Sequence, residues 1–320
     1  MQVHRGIPEH ADTAAVLTIG NFDGVHLGHQ ALLSLLTGKA RELGLPAVVL
    51  TFEPHPREFF SPADAPARLA SLREKLLLLD SAGVDRTYIC RFNAERAAQS
   101  AESFIRDTLV HGLGVRHLFV GDDFRFGARR QGTFGMLREA GLVQGFGVET
   151  MPTLEVDGER VSSSAVRAAL LEADLGHAAR LLGRPYSIAG RVSHGDKIGR
   201  QLGFPTANIQ MKHRRPALTG VYAVSVEGLA DKRIAGVAHV GVRPTATSRG
   251  RARLEVHLFD WTQNCYGAHI RVSFLHKLRD EHKFESLDAL RGQIALDAQN
   301  ARDWFASHPD SCSASPIDAA

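Results

Sequence analysis

Cysteine is scarce in this chain of 320 residues. Its three cysteines, Cys90, Cys265 and Cys312, are widely separated and form no Cys-x-x-Cys pair. A disulfide framework and a cysteine-based structural zinc site are thereby excluded, and a reducing compartment is expected. Long apolar runs are also missing: no segment approaches the roughly 18 apolar residues of a membrane span. The opening Met-Gln-Val-His-Arg-Gly-Ile-Pro has no apolar stretch behind its charges, so the expectation is a cytoplasmic protein without membrane association. Charge of one sign is lacking too. With 38 basic and 35 acidic residues the net charge is +3, although 16 histidines would raise it in mild acid. That is too little to coat a nucleic acid and better suits small anionic ligands. Finally, Gly-x-x-x-x-Gly-Lys-Ser/Thr occurs nowhere in the chain, so any phosphate chemistry must use an architecture other than the Walker loop.

What is present suits two domains. The length exceeds one typical core, and 44% hydrophobic with 23% charged residues is an ordinary soluble globular balance. Three apolar runs, over 15–19, 47–52 and 117–120, lack polar alternation and predict strands buried on both faces of a parallel sheet. Between the first two, Leu32, Leu35, Leu36 and Leu43 recur at helical spacing, as the crossover of a βαβ unit requires. An N-terminal open α/β domain is expected, ending in a helix over 165–171 that a serine among Ser162, Ser163 and Ser164 can cap. Near Leu182-Gly183-Arg184-Pro185 the helical residues give way to glycine, proline and β-branched types, which places a boundary between domains 1–182 and 183–306. Runs at 186–192, 220–226, 234–242, 254–259 and 269–275 predict a small antiparallel β-barrel. Phe284, Leu287, Leu290, Ile294, Ala298, Ala301 and Phe305 predict a closing helix capped by Ser286, with Asp288 in its first turn. Residues 307–320 are small, polar and aperiodic, the composition of a disordered tail.

The densest chemistry lies in Gly-Asp-Lys-Ile-Gly-Arg-Gln-Leu-Gly-Phe-Pro-Thr-Ala-Asn, residues 195–208. Gly195, Gly199 and Gly203 let the backbone turn tightly and present amides to phosphate oxygens, with Lys197 and Arg200 adding charge. Thr206 and Asn208 offer the neutral oxygens that Mg²⁺ accepts beside phosphates and water, and Pro205 stiffens the approach. A Gly/Pro-rich hairpin connection with incidental charges is the alternative. Directly after the first strand stands Gly20-Asn21-Phe22-Asp23-Gly24-Val25-His26-Leu27-Gly28-His29, at the carboxyl edge where open parallel sheets bind ligands. His26 and His29, three apart at a helix start, share a face and can donate to a phosphate gathering charge, with Gly28 leaving room for a nucleotide. Ser162, Ser163, Ser164 and Arg167 can hold further phosphates at a helix start. Two loops at carboxyl strand ends, Thr51-Phe52-Glu53-Pro54-His55-Pro56 and Gly121-Asp122-Asp123-Phe124-Arg125-Phe126-Gly127, bring Phe52, Phe124 and Phe126 to stack on a planar heterocycle, with Asp123 or a backbone group reading its edge; core phenylalanines are the alternative. In Arg253-Leu254-Glu255-Val256-His257-Leu258-Phe259 the alternation turns Arg253, Glu255 and His257 to one face. Glu255 can orient or deprotonate a hydroxyl awaiting phosphorylation.

His-x-Gly-His after a strand resembles the nucleotidylyltransferase superfamily motif, which class I aminoacyl-tRNA synthetases share. With the segments above in this order, joined by 218–223, 241–245 and 283–288, the chain resembles the prokaryotic bifunctional riboflavin kinase/FAD synthetase family over roughly residues 14–306. The resemblance implies a Rossmann-like first domain that transfers AMP from ATP to FMN, and a barrel that phosphorylates riboflavin with Mg-ATP. Flavins would be substrates and products rather than redox cofactors. It implies adenylyltransferase ATP contacts at Gly20, Asn21, Phe22, Asp23, Gly24, His26, Gly28, His29, Ser162, Ser163, Ser164 and Arg167. Flavin contacts are implied at Phe52, Pro54, His55, Asp123, Phe124 and Phe126. For the kinase it implies ATP contacts at Gly195, Lys197, Gly199, Arg200, Gly203, Pro205, Thr206 and Asn208, metal at Thr206 and Asn208, and the base at Glu255. Ala238-His239 departs from the family's usual alanine-asparagine, and the loop over 260–267 is less acidic than usual. The rival readings are an enzyme with one activity and a binding-only second half, or a regulatory protein that binds flavin or RNA.

Overall fold

The computed structural model describes residues 1–195, 198–211, 215–242 and 252–312, with backbone alone for Ile198, Arg200 and Val242. Lys197 and residues 313–320 lie outside this set, as does the Arg200 side chain. The chain divides into two compact units, Met1–Pro66 with Leu72–Ser162, and Ala67–Ser71 with Ser163–Ala320.

The first unit runs β1 (Gln2–Arg5), β2 (Ala15–Ile19), α1 (Leu27–Leu43), β3 (Ala47–Glu53), α2 (Pro56–Phe60), α3 (Leu72–Ser81), β4 (Arg86–Arg91) and α4 (Ala94–Ala98). It continues with α5 (Ala101–Ser103), a π-helical Phe104–Gly112, β5 (Val115–Gly121), α6 (Phe134–Gln144), β6 (Gly147–Met151) and a small hairpin, β7 (Glu155–Val156) and β8 (Glu159–Arg160). Six strands form one sheet in the order β1-β4-β3-β2-β5-β6, every neighbouring pair parallel. β2 is buried at all five positions, as a strand covered on both faces must be. Three strands beyond the three apolar runs appear. β1 is exposed throughout and β6 has no buried residue, while β4 begins and ends on arginine, so none of them reads as an apolar run. In α1 the buried stripe is Leu32, Leu33, Leu36 and Ala40; Leu35 and Leu43 are 45% and 40% exposed, a correction to the expected face.

The second unit opens with α7 (Ser163–Leu171) and α8 (Leu175–Leu182), the latter stopped by Gly183 in the left-handed conformation at φ 72°. Six strands follow, β9 (Ser187–Ser193), β10 (Ala207–Gln210), β11 (Gly220–Glu227), β12 (Ile234–Val242), β13 (Ala252–Leu258) and β14 (His269–Arg279), with a single turn α9 (Ile198–Gln201) between β9 and β10. They close into an antiparallel barrel in the order β10-β13-β12-β11-β14-β9. α10 (Leu287–Ser307) covers part of it, its Ser286 cap accepting from the Ala289 N–H at 3.1 Å and Asp288 in the first turn as expected. Ala298 and Ala301 of α10 pack with Val221, Ala223, Val237 and Phe259. The first residues of the segment expected to be structureless are ordered: Ser307 ends α10, its hydroxyl donating to the Trp304 carbonyl at 2.9 Å, and Pro309–Ser311 makes a 3₁₀ turn.

One ion pair ties α10 to β14. Asp297, 4% exposed, accepts from Arg279 Nε at 2.8 Å, from its Nη2 at 2.7 Å and from Gln293 at 2.9 Å. Removing one partner of a desolvated pair leaves the other charge uncompensated. Asp297→Ala should therefore destabilise the second unit by about 3 kcal/mol, read as a lower urea midpoint at unchanged slope.

Candidate functional sites

In the first unit the strand order reverses direction of growth at β2 and β5, which lie side by side while β3 and β6 extend the sheet outward. Such a switch point opens a crevice at the carboxyl ends. A cavity of about 280 Å³ sits there, lined by residues leaving β2 (Gly20, Phe22), the α1 start (His26, Gly28, His29) and the β5 exit (Asp122, Asp123, Phe124). His26 is the α1 cap: its Nδ1 accepts the His29 backbone N–H at 3.3 Å. A neutral ring used in this way carries its proton on Nε2, which makes that nitrogen a donor. The two imidazoles stack with centroids 3.7 Å apart, and the Phe22 ring lies 5.0 Å from His29. His29 Nδ1 is buried without a hydrogen-bond partner. Burial, then the neighbouring His26, then Lys75, hold its pKa well below the usual imidazole value, so it is neutral at physiological pH. Gly28 lines the cavity, and a Cβ there would press on the His26 ring at 3.2 Å.

The remaining first-unit expectations separate. Asp123 lines the cavity and pairs with Arg160 Nη2 at 2.9 Å; Asp122 accepts from Thr153 at 2.7 Å. Ser162 is also at the wall. Phe124 reaches the cavity, whereas Phe126 behind it is 6% exposed and packs in the core at 5.4 Å from Phe104. Phe52 packs edge-on to Phe92 at 5.8 Å. His55 caps α2 by accepting the Arg57 N–H at 3.1 Å, and a cis Glu53–Pro54 bond precedes it. Ser163, Ser164 and Arg167 belong to the second unit, where Arg167 Nη1 donates to the Ser163 carbonyl at 3.1 Å and its Nε to that of Ala67. Arg160 is the residue that pattern reading missed, although it lies two positions before the serine run.

In the second unit a larger cavity, about 420 Å³, is lined by Gly199, Thr206, Asn208, His239, Glu255 and His257 from the barrel side and by Phe284, Leu290 and Ile294 from the segment leading into and along α10. β13 alternates as predicted, with Leu254 and Val256 fully buried and Glu255 turned to the cavity. Register places Asn208 of β10 and His239 of β12 directly opposite Glu255 on either side. His239 reaches Glu281 at 3.4 Å. His257 sits 3.0 Å from the Pro205 carbonyl, bracing the turn before Thr206. Asn208 donates through Nδ2 to the Thr206 hydroxyl and carbonyl, both at 3.2 Å. Its Oδ1 therefore serves as an acceptor of cations or donors. Gly195 lies against that amide, so that any Cβ there would overlap it, and a Cβ at Gly199 would meet the Phe204 carbonyl at 2.5 Å. Gly203 has φ 88°, the left-handed region that glycine enters without strain. Among the described residues no group of three or more His, Cys, Asp or Glu can hold a metal ion.

The FAD synthetase family model matches residues 8–165 and the riboflavin kinase model residues 182–305. A bifunctional riboflavin kinase/FMN adenylyltransferase of Pseudomonas fluorescens is 53% identical over 94% of this chain and 97% of its own length. The protein of the same description from Escherichia coli K12 is 48% identical over 95% and 98%. The chain belongs to this family. The crystal structure of a macrolide-efflux protein from Streptococcus pneumoniae shares its fold, with TM-score 0.77 and 29% identity over 95% of this chain and all of that one. No helix among the described residues is long and apolar enough to cross a membrane. The enzyme thus carries two ATP-using transferase modules in one chain, and its two cavities fall within the two matched segments.

The close approach at Gly195 can be tested alone. Gly195→Ala should displace the Asn208 amide and slow riboflavin phosphorylation by about 10²-fold, the scale of a 1 Å misplacement. FAD formation from supplied FMN and ATP, measured on the same preparation, should be unchanged.

Proposed function

We propose that the cavity at the β2/β5 switch point transfers AMP from ATP to FMN and that the barrel cavity phosphorylates riboflavin, the two steps running in succession from riboflavin to FAD. The observation that carries the assignment is the pairing of two unlike donor sets with two unlike chemistries. One cavity offers stacked neutral-ring donors beside a strand-end turn; the other offers a carboxylate beside two neutral oxygens. We assign residues 1–182 to adenylylation and 183–306 to phosphorylation, with a tail beyond; the compact units themselves part earlier, at Ser162/Ser163, so that α7 and α8 belong to the second unit.

In the first reaction a phosphate oxygen of FMN attacks the α-phosphorus of ATP, and the bond to pyrophosphate breaks. Charge grows on the non-bridging α-phosphate oxygens as it does so. Nε2–H of His26 and the ring of His29 are the groups we assign to those oxygens, with the Gly20-to-Gly24 turn and Ser162 around the nucleotide. Preorganised donors stabilise such charge without reorganisation cost. Asp123 and Phe124 border the flavin, and Phe126 supports Phe124 from the core rather than touching substrate.

In the second reaction Glu255 accepts the proton of the riboflavin 5′-hydroxyl while that oxygen bonds to the γ-phosphorus and ADP leaves. Phosphoryl transfer needs alignment and charge neutralisation more than strong basicity. ATP-using transferases of this kind need a divalent cation, and Mg²⁺ is the one we assign here. Thr206 Oγ1 and Asn208 Oδ1 fit it: both are neutral oxygens, the amide is oriented by its bonds to Thr206, and Gly195 keeps the approach clear. When bound, the ion would neutralise charge on the ATP phosphates.

Incubating the purified chain with riboflavin and Mg-ATP and separating riboflavin, FMN and FAD by chromatography tests the sequence of steps: FMN should rise first and FAD follow. His29→Ala should slow FMN adenylylation by about 10²–10³-fold, as loss of an oxyanion-hole donor does, while riboflavin phosphorylation persists. Glu255→Gln should bind Mg-ATP normally by titration calorimetry yet lose FMN formation; turnover near the native rate would remove Glu255 from the mechanism.

A further inference from the structure

α3 buries two charged residues, Glu74 at 9% and Lys75 at 4% exposure, beside the apolar Leu79. An ammonium taken out of water costs several kcal/mol unless it is paired and hydrogen-bonded. The Lys75 ammonium donates to the Thr51 hydroxyl at 3.5 Å, and that hydroxyl, itself fully buried, donates to the Asn21 carbonyl at 3.4 Å. Both bonds are long, but together they reach the back of the turn that carries the histidines. That turn needs support: Phe22 and Val25 hold φ of 48° and 41°, conformations that side chains other than glycine rarely adopt. Asn21 Oδ1 and His29 Nδ1, both buried, have no hydrogen-bond partner.

We propose that Lys75 is a positioning residue of the AMP-transfer site, anchoring the Gly20-to-His29 turn through Thr51 and supplying a fixed positive charge that His29 feels. This rests on the assignment of His29 to AMP transfer. Burial first, then the His26 ring at the helix cap and the Lys75 ammonium from α3, oppose protonation of the His29 imidazole. Asp23 is buried in the same turn, and Asp122, Asp123 and Arg160 line the cavity, with Arg160 paired to Asp123. With the Lys75 charge removed, His29 takes up a proton at higher pH, because one repulsion is gone. The neutral ring is the working form, so the acid limb of FAD formation moves upward.

The test is the pH profile of FAD formation from FMN and ATP for the full chain, with riboflavin phosphorylation by the same preparation as a control on folding. Lys75→Met should shift the acid limb to higher pH, at a native rate of FMN formation. Lys75→Arg, which keeps the charge, should keep the native limb. An unmoved limb in Lys75→Met overturns the proposal. Should Lys75→Met lose both activities, Lys75→Gln is read in its place; loss of both by both neutral variants, with Lys75→Arg intact, overturns it in favour of a purely structural role. His29→Ala, run alongside, separates the two failures. Native FAD formation there sinks the assignment of His29, whereas its loss together with an unmoved limb in Lys75→Met sinks only the role of Lys75.

Discussion

Leu254 and Val256 are fully buried in the barrel, and because successive residues of a strand point to opposite faces, the glutamate between them is turned to the cavity. A slip of one residue would put that carboxylate in the apolar interior and bring two aliphatic chains out, so the register is held by the same burial that stabilises the barrel. β10 obeys the same constraint. Ala207 and Ile209 are buried, Asn208 emerges between them, and pairing with β13 sets it opposite Glu255. The first unit uses burial differently. β2 has no exposed face, so polar chemistry begins only where the strand ends, at Gly20, on the edge that the parallel order leaves open.

The two cavities differ in how they store their precision. In the barrel the side chains stand on strands, and hydrogen bonds between Asn208 and Thr206 set the amide's orientation. In the first unit the groups stand on a turn with two positive-φ residues, each costing about 1 kcal/mol or more, and the turn ends in a histidine that is also a helix cap. One side chain thus starts α1 and offers a donor. Gly28, at the cavity wall, also leaves that ring its place, since a Cβ there would meet it at 3.2 Å.

Much of this was legible from pattern. The buried runs of β2, β3 and β5, the five longer barrel strands, the Ser286 cap and the outward set of β13 all follow from periods of two and of three to four residues. β1, β4 and β6 were not legible, because edge exposure and flanking charges hide a short strand from a hydrophobicity rule. β10 was hidden for another reason: its four residues sit inside a segment rich in turn formers, and only pairing to β9 and β13 makes them a strand. The phase of α1 departs from the expected one because Leu32 and Leu36 are common to two neighbouring stripes, and packing against the sheet selects the one with Leu33 and Ala40.

The sequence by itself determined which elements could form and which residues carried chemistry, since both depend on local spacing: histidines three apart after a buried strand, glycines four apart before a threonine and an asparagine, a glutamate flanked by aliphatics. Only the tertiary structure decided which of these meet. It set His239 and Asn208 on either side of Glu255, sent Phe126 to the core and Phe124 to the cavity, and brought Lys75 from a separate helix to the back of the histidine turn. Those juxtapositions depend on strand order, register and the burial of distant side chains, which no local period encodes.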